Sequence, residues 1–228
     1  MLLEILEILI LFVLPVILVY LKIIPFKHRL HTLYIISILT LGLAFLEKMT
    51  LKDLGIRADN IIESTMAYAI FTIAGILLIL VISNVLKRKP QPDFFKNNHF
   101  IYVFILVSLA QEFMFRGFLF PKLETIFSQS IIIILINAIL FTLMHSIYSD
   151  DWKSLAMIFL GGICFAGIYL VYPNLIMITI SHAVLNFIAV LYNFYHEENT
   201  NIKIVDYWSK IGTYWSRINK KNLLHKSR

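Results

Sequence analysis

Charge is what this sequence lacks. Only 15% of its 228 residues are Asp, Glu, Lys or Arg, against 59% hydrophobic, where soluble domains usually carry about 25% charged residues. That balance excludes a soluble globular chain. Cysteine is nearly absent as well: Cys164 stands alone and lies within an apolar run, so an intrachain disulfide is excluded. No polar stretch is long enough for a second soluble domain, the longest interruptions being residues 48–63 and 87–98. The first apolar run lacks a small-residue cleavage site and is too long for a removable signal peptide.

What is present is apolar length. A hydrocarbon core about 30 Å thick takes roughly 20 apolar residues per spanning helix. Segments 5–24, 31–47, 64–86, 99–120, 130–149, 153–172 and 174–195 meet that measure. They predict an all-α, polytopic membrane protein of about seven transmembrane helices around a polar intramembrane cavity, with residues 1–195 as the membrane domain. Glu4 and Glu7 belong in the interface at the head of the first span. Gly161, Gly162, Ala166 and Gly167 give the sixth span a small face for close helix approach. The brief turn Tyr172-Pro173-Asn174 predicts a tight antiparallel hairpin between the last two spans.

The loop charges give an orientation. With the N-terminus outside, the cytoplasmic segments and tail hold Lys22, Lys27, Arg29, Lys87, Arg88, Lys89, Lys96, Lys153 and seven further Lys or Arg, fifteen in all. The opposite face holds Lys48, Lys52, Arg57 and Lys122. The positive-inside rule therefore predicts N-out and C-in, and the net charge of +6 reads as leaflet-facing topology, with no nucleic-acid partner required. Residues 196–228 form a basic tail in which Tyr207-Trp208-Ser209-Lys210-Ile211 recurs as Tyr214-Trp215-Ser216-Arg217-Ile218. Ile204, Trp208, Ile211, Trp215 and Ile218 share one face, an amphipathic helix suited to an anionic leaflet. A helix packed on the protein's own loops would carry the same pattern.

Against this background the stretch LAQEFMFRGFLF, Leu109 to Phe120, is anomalous. An ionised side chain near mid-bilayer costs roughly 2.5–3.5 kcal/mol on insertion scales. Glu112 and Arg116 are four apart and share a helical face, with Gln111 turned about 100° away. His145 ends the run Phe141-Thr142-Leu143-Met144-His145, and His182 and Asn186 share a face of the last span. Singly, each has a structural explanation: an ion pair, an interhelical hydrogen bond, or packing for Phe141. Together, a carboxylate and two imidazoles on three spans are the parts needed to activate water at neutral pH, and a histidine or asparagine can donate to a developing oxyanion.

The three motifs resemble those of the CPBP family of intramembrane proteases, which includes CAAX-processing and bacteriocin-processing enzymes. The family pattern is Glu-Glu-x-x-x-Arg, Phe-x-x-x-His and His-x-x-x-Asn on successive membrane helices. The resemblance covers about residues 99–195, and Leu51 to Arg57 also resembles a polar segment that such proteins carry before the motifs. It implies peptide-bond hydrolysis in a membrane-associated substrate. In that scheme Glu112, or a glutamate at position 111, activates water with His145. His182 and Asn186 stabilise the oxyanion, and Arg116 holds Glu112. Arg116 fixes the register, so the family's first glutamate is Gln111 here. An amide has no basic site near neutral pH. Three readings stay open: a substituted, trapped form; a non-catalytic member acting as a bacteriocin-immunity or regulatory membrane protein that binds a peptide or protein partner; or Glu112 as the base.

Two His and one Glu are also a zinc ligand set, but Glu112 cannot readily be both ligand and base, and the helical His-Glu-x-x-His motif is missing. No metal or other cofactor is expected; nothing beyond the two histidines supports haem. The abundance of Ile, Lys and Asn and the compact size suggest a bacterial plasma membrane. The sequence leaves the substrate and the oligomeric state open. One geometric difficulty stands. At about 1.5 Å per residue on straight helices, Glu112 and His182 fall about 20 Å from the cytoplasmic face and His145 only about 6–8 Å. The fourth span is therefore expected to be kinked or displaced.

Overall fold

The computed structural model describes residues 2–91, 99–147, 152–192 and 194. The amphipathic tail expected over residues 204–218 lies outside them. Among the described residues the chain forms seven helical runs. They are α1 (Leu2–Tyr20), α2 (Arg29–Leu46, entered through a 3-10 turn at Phe26–His28), α3 (Ile61–Val85), α4 (from His99 to Ile126), α5 (Ser130–Ser146), α6 (Trp152–Val171) and α7 (Leu175–Leu191). Five of the runs are long and apolar enough to cross a membrane, while α5 and α7 are shorter apolar helices. This is a polytopic helical membrane protein.

Lipid exposure and burial divide the spans. In its most apolar stretch α4 is 67% buried inside the protein and α3 only 6%, so α4 is the central helix and α3 a peripheral one. Phe113 to Leu119 are all buried, and they form a π-helix rather than an α-helix. Pro121 follows two residues later. Its ring and missing N–H disrupt ordinary i to i−4 bonding, and the π-turn lets the helix continue without breaking. The same device recurs in α1, where Leu9–Val13 is π-helical two residues ahead of Pro15. The fourth span, expected to be kinked or displaced, thus changes pitch within a continuous helical run. Asn137 of α5 donates from Nδ2 to the Phe115 carbonyl within this turn at 2.7 Å.

Helices α1, α2 and α3 each end in the same way. Lys22, Lys48 and Lys87 sit at positive φ (58°, 57° and 54°) just beyond the last turn. Lys48 N–H donates to the Phe45 carbonyl and Met49 N–H to that of Ala44, the paired bonds of a Schellman cap. The lysine charge also complements the negative helix terminus.

The segment between α2 and α3 folds over one end of the bundle. Thr50 donates from N–H and Oγ1 to the Asp53 carboxylate, both at 2.7 Å, which holds that carboxyl below its ordinary value. Arg57 donates from Nε and Nη2 to Asp59 and holds it down at about 2. Between them Leu54 is buried and Gly55 turns at φ 73°, its carbonyl accepting from Leu175 N–H at 2.8 Å. Lys122, only 9% exposed, donates to Glu7 at 2.7 Å and Glu47 at 2.5 Å. Glu7 is therefore an ion-pair partner tying α1 and the end of α2 to α4.

Two packing expectations are revised. The small face of α6 divides: Gly162 and Ala166 are buried, and a side chain on Gly162 would meet Ala138 of α5 at 3.3 Å, whereas Gly161 and Gly167 face open space. Helices α6 and α7 do not pair along their length despite the short turn. Instead α6 packs on α5, and α7 on α3 and α4. Polar contacts explain the choice for α7: Thr72 of α3 hydrogen-bonds Ser181 at 2.7 Å, and Tyr68 donates to the Tyr172 carbonyl at 3.1 Å.

Candidate active site

The depth difficulty resolves at the turn joining α4 to α5. Gln111 lies fifteen residues from the Ile126 end of α4, and His145 fifteen residues from the Ser130 end of α5. The connection between those ends is three residues long, so the two side chains are level. Gln111 Nε2 and His145 Nε2 are 3.3 Å apart. Counting from the ends expected to be cytoplasmic misplaced His145 because it took every span to reach the membrane face, whereas α5 is one of the two shorter apolar helices.

The hydrogen-bond roles follow from the partners. His145 Nδ1 lies 2.8 Å from the Phe141 carbonyl oxygen. That oxygen can only accept, so Nδ1 carries the hydrogen and a neutral imidazole keeps its lone pair on Nε2. The Gln111 amide must therefore turn its NH2 towards His145. This leaves Gln111 Oε1 buried and without a hydrogen-bond partner among the described residues.

Glu112 occupies the other face of the same turn and is fully buried. Its Oε1 accepts from His182 Nδ1 at 2.5 Å and from Arg116 Nη1 at 3.5 Å. Its Oε2 lies 3.3 Å from Arg116 Nε. Arg116 is likewise fully buried. It donates from Nη2 to the Gly162 carbonyl at 3.3 Å and lies 4.7 Å from the centre of the Phe141 ring. An unpaired charge at this depth would be prohibitive. Here the guanidinium has a carboxylate, a carbonyl and an aromatic face.

Phe141 is also the common wall of both imidazoles, with its centroid 4.3 Å from the His145 ring and 5.8 Å from the His182 ring. Phe165 of α6 lies 5.2 Å from the His182 ring. The structure thus brings Gln111, Glu112, Arg116, His145 and His182 together from α4, α5 and α7. Asn186 stands one turn beyond His182 on α7 and is half-buried. Among the described residues no three His, Cys, Asp or Glu side chains form a metal-holding group.

Three supporting groups were not singled out from the sequence. Asn137 was legible as a polar residue inside an apolar span. Phe165 had no polar signature, and the Gly162 carbonyl had no side-chain signal at all. The cluster itself is closed, its members being at most 8% exposed. An opening lies elsewhere: a cavity of about 590 Å³ at the Lys122 end of the bundle is lined by Phe120, Tyr169, Glu47, Lys52 and Arg57 among others.

A buried carboxylate, a guanidinium and two imidazoles thus meet on three helices of a multi-pass membrane protein. Residues 96–188 match the family described as type II CAAX prenyl endopeptidase Rce1-like. The match agrees with the CPBP resemblance, and every residue of the cluster falls within it. No curated protein and no solved structure matches the chain.

Proposed function

We propose that this protein is an intramembrane endopeptidase that hydrolyses a peptide bond of a membrane-associated protein or peptide at the Gln111, Glu112, His145 and His182 cluster. The observation that carries this reading is the bridging of two imidazoles by consecutive residues of α4, with Glu112 neutralised by Arg116. Arg116 holds Glu112, His145 orients the amide of Gln111, and Asn186 supplies the hydrogen bond to the oxyanion. The basic loops and the residue 196–228 tail face the cytoplasm, the tail on an anionic leaflet. No metal or cofactor takes part in this reading.

The test is hydrolysis of a quenched-fluorescence peptide library by purified, detergent-solubilised protein. The proteins compared are the chain as it stands, Gln111→Glu, and the double variant His145→Ala/His182→Ala. Cleavage by the first or second protein, lost in the double variant at unchanged fold, is the expected result. Peptides that bind but survive both proteins would instead make this a peptide-binding regulatory or immunity protein.

A further inference from the structure

We infer that the general base of this chain is His182 Nε2, held in register by Glu112, and that no carboxylate takes the proton of the attacking water. The inference rests on the endopeptidase reading and assigns the base within that site. Four groups compete for the role, and geometry separates them. Gln111 is an amide with no basic site. Glu112 accepts from His182 Nδ1 and Arg116 Nη1 at Oε1, and its Oε2, though it makes no hydrogen bond among the described residues, stands 3.3 Å from Arg116 Nε in a buried ion pair. The lone pair of His145 faces the Gln111 amide at 3.3 Å. His182 differs from all three. Its Nδ1–H is given to Glu112, so the neutral ring has its lone pair on Nε2, and Nε2 makes no hydrogen bond among the described residues.

A carboxylate on Nδ1 fixes the tautomer of an imidazole and stabilises the imidazolium formed when Nε2 accepts a proton. Glu112 is placed to do both, with the guanidinium of Arg116 beside it in the same fully buried setting. The tautomer also bears on the oxyanion, because a neutral His182 has no hydrogen on Nε2 to donate. Asn186, one turn on, has an amide that does.

The chemistry balances with water as the sole co-reactant. His182 Nε2 takes one proton from water while the water oxygen bonds to the peptide carbonyl carbon, and the carbonyl electron pair moves onto its oxygen. The tetrahedral adduct collapses, the C–N bond breaks, and the imidazolium returns its proton to the departing nitrogen. The products are a carboxylic acid and an amine, with His182 neutral again.

The deciding experiment follows cleavage of one library substrate, together with binding of its analogue bearing a hydroxyethylene group at the scissile bond. It compares the chain as it stands with Gln111→Glu, His182→Gln, His145→Gln and Glu112→Asp. The chain as it stands should cleave. His182→Gln should lower kcat by about 10²–10⁴-fold, the usual worth of a general base, with analogue binding retained as proof of fold. His145→Gln, which removes the partner that orients the Gln111 amide, should lower kcat by less than His182→Gln does. Glu112→Asp keeps the charge facing Arg116 but withdraws from Nδ1, so kcat should fall at unchanged KM. Cleavage that appears only after Gln111→Glu would overturn this assignment and leave the endopeptidase reading standing. Cleavage by neither protein would overturn both. A His182→Gln variant that cleaves within tenfold of the parent would overturn the assignment alone.

Discussion

Replacing Glu112 by glutamine tests the electrostatic core of the site. The two side chains have nearly the same volume, so the substitution reads charge rather than a cavity. Glu112 and Arg116 are both fully buried, with the carboxylate 3.3 Å from Arg116 Nε and 2.5 Å from His182 Nδ1. Without the carboxylate, Arg116 keeps only the Gly162 carbonyl at 3.3 Å and the face of Phe141. Neither carries a compensating charge. Removing one member of a buried ion pair costs about 3–5 kcal/mol, because the survivor is left charged and desolvated. Unfolding in mixed micelles of a mild detergent and dodecyl sulfate should show a loss of that size. The double variant Glu112→Gln/Arg116→Met should recover part of it, with a coupling of about 0.5–3 kcal/mol in the cycle. A Glu112→Gln variant within about 1 kcal/mol of the parent, or a double variant showing no coupling, would refute the buried-pair account.

Further expectations concern the frame around the site. Gly55→Ala places a methyl 2.0 Å from Tyr169 Oη at φ 73° and should lower the unfolding midpoint clearly. Adding Tyr169→Phe should relieve the clash but leave the roughly 1–2 kcal/mol of left-handed backbone cost. Lys48→Gly removes that same cost at φ 57° and should stabilise by up to about 1 kcal/mol in the same assay. On α6, Gly162→Ala must push on Ala138 at 3.3 Å and should destabilise. Gly161→Ala meets nothing within 4 Å and should stabilise by about 0.5–1 kcal/mol through helix propensity; equal effects at the two positions would contradict the packing described. Arg57 depresses Asp59 to about 2, so its contribution is present above the unfolded carboxylate value of about 3.9 and is lost as pH falls towards 2. The difference in melting temperature between the parent and Asp59→Asn, small because the group is exposed, should therefore be constant above about pH 5 and vanish by about pH 2.

The sequence by itself determined that this is a membrane bundle, where its helices run, and which side chains are too polar to be there by composition alone. Apolar length decides the helices because backbone groups in lipid must be bonded within their own segment. Spacing of three or four residues puts Glu112 and Arg116 on one turn before any partner helix is known. Even the meeting of Gln111 with His145 was legible, had depth been counted from the three-residue turn that levels α4 and α5. The count from the other ends set them at different depths because it took every span to reach the membrane face, and α5 is a shorter helix. Tertiary structure alone decided the rest. Lipid-facing and protein-facing apolar residues look alike in sequence, so the sequence could not say that α7 prefers α3 and α4 to its neighbour α6. Nor could it say that Lys122 reaches Glu7 and Glu47 across 115 and 75 residues. The same holds for the orientation of the Gln111 amide and the tautomers of the two histidines. Each depends on a carbonyl or carboxylate brought up by another turn or another helix, and only the packed chain supplies it.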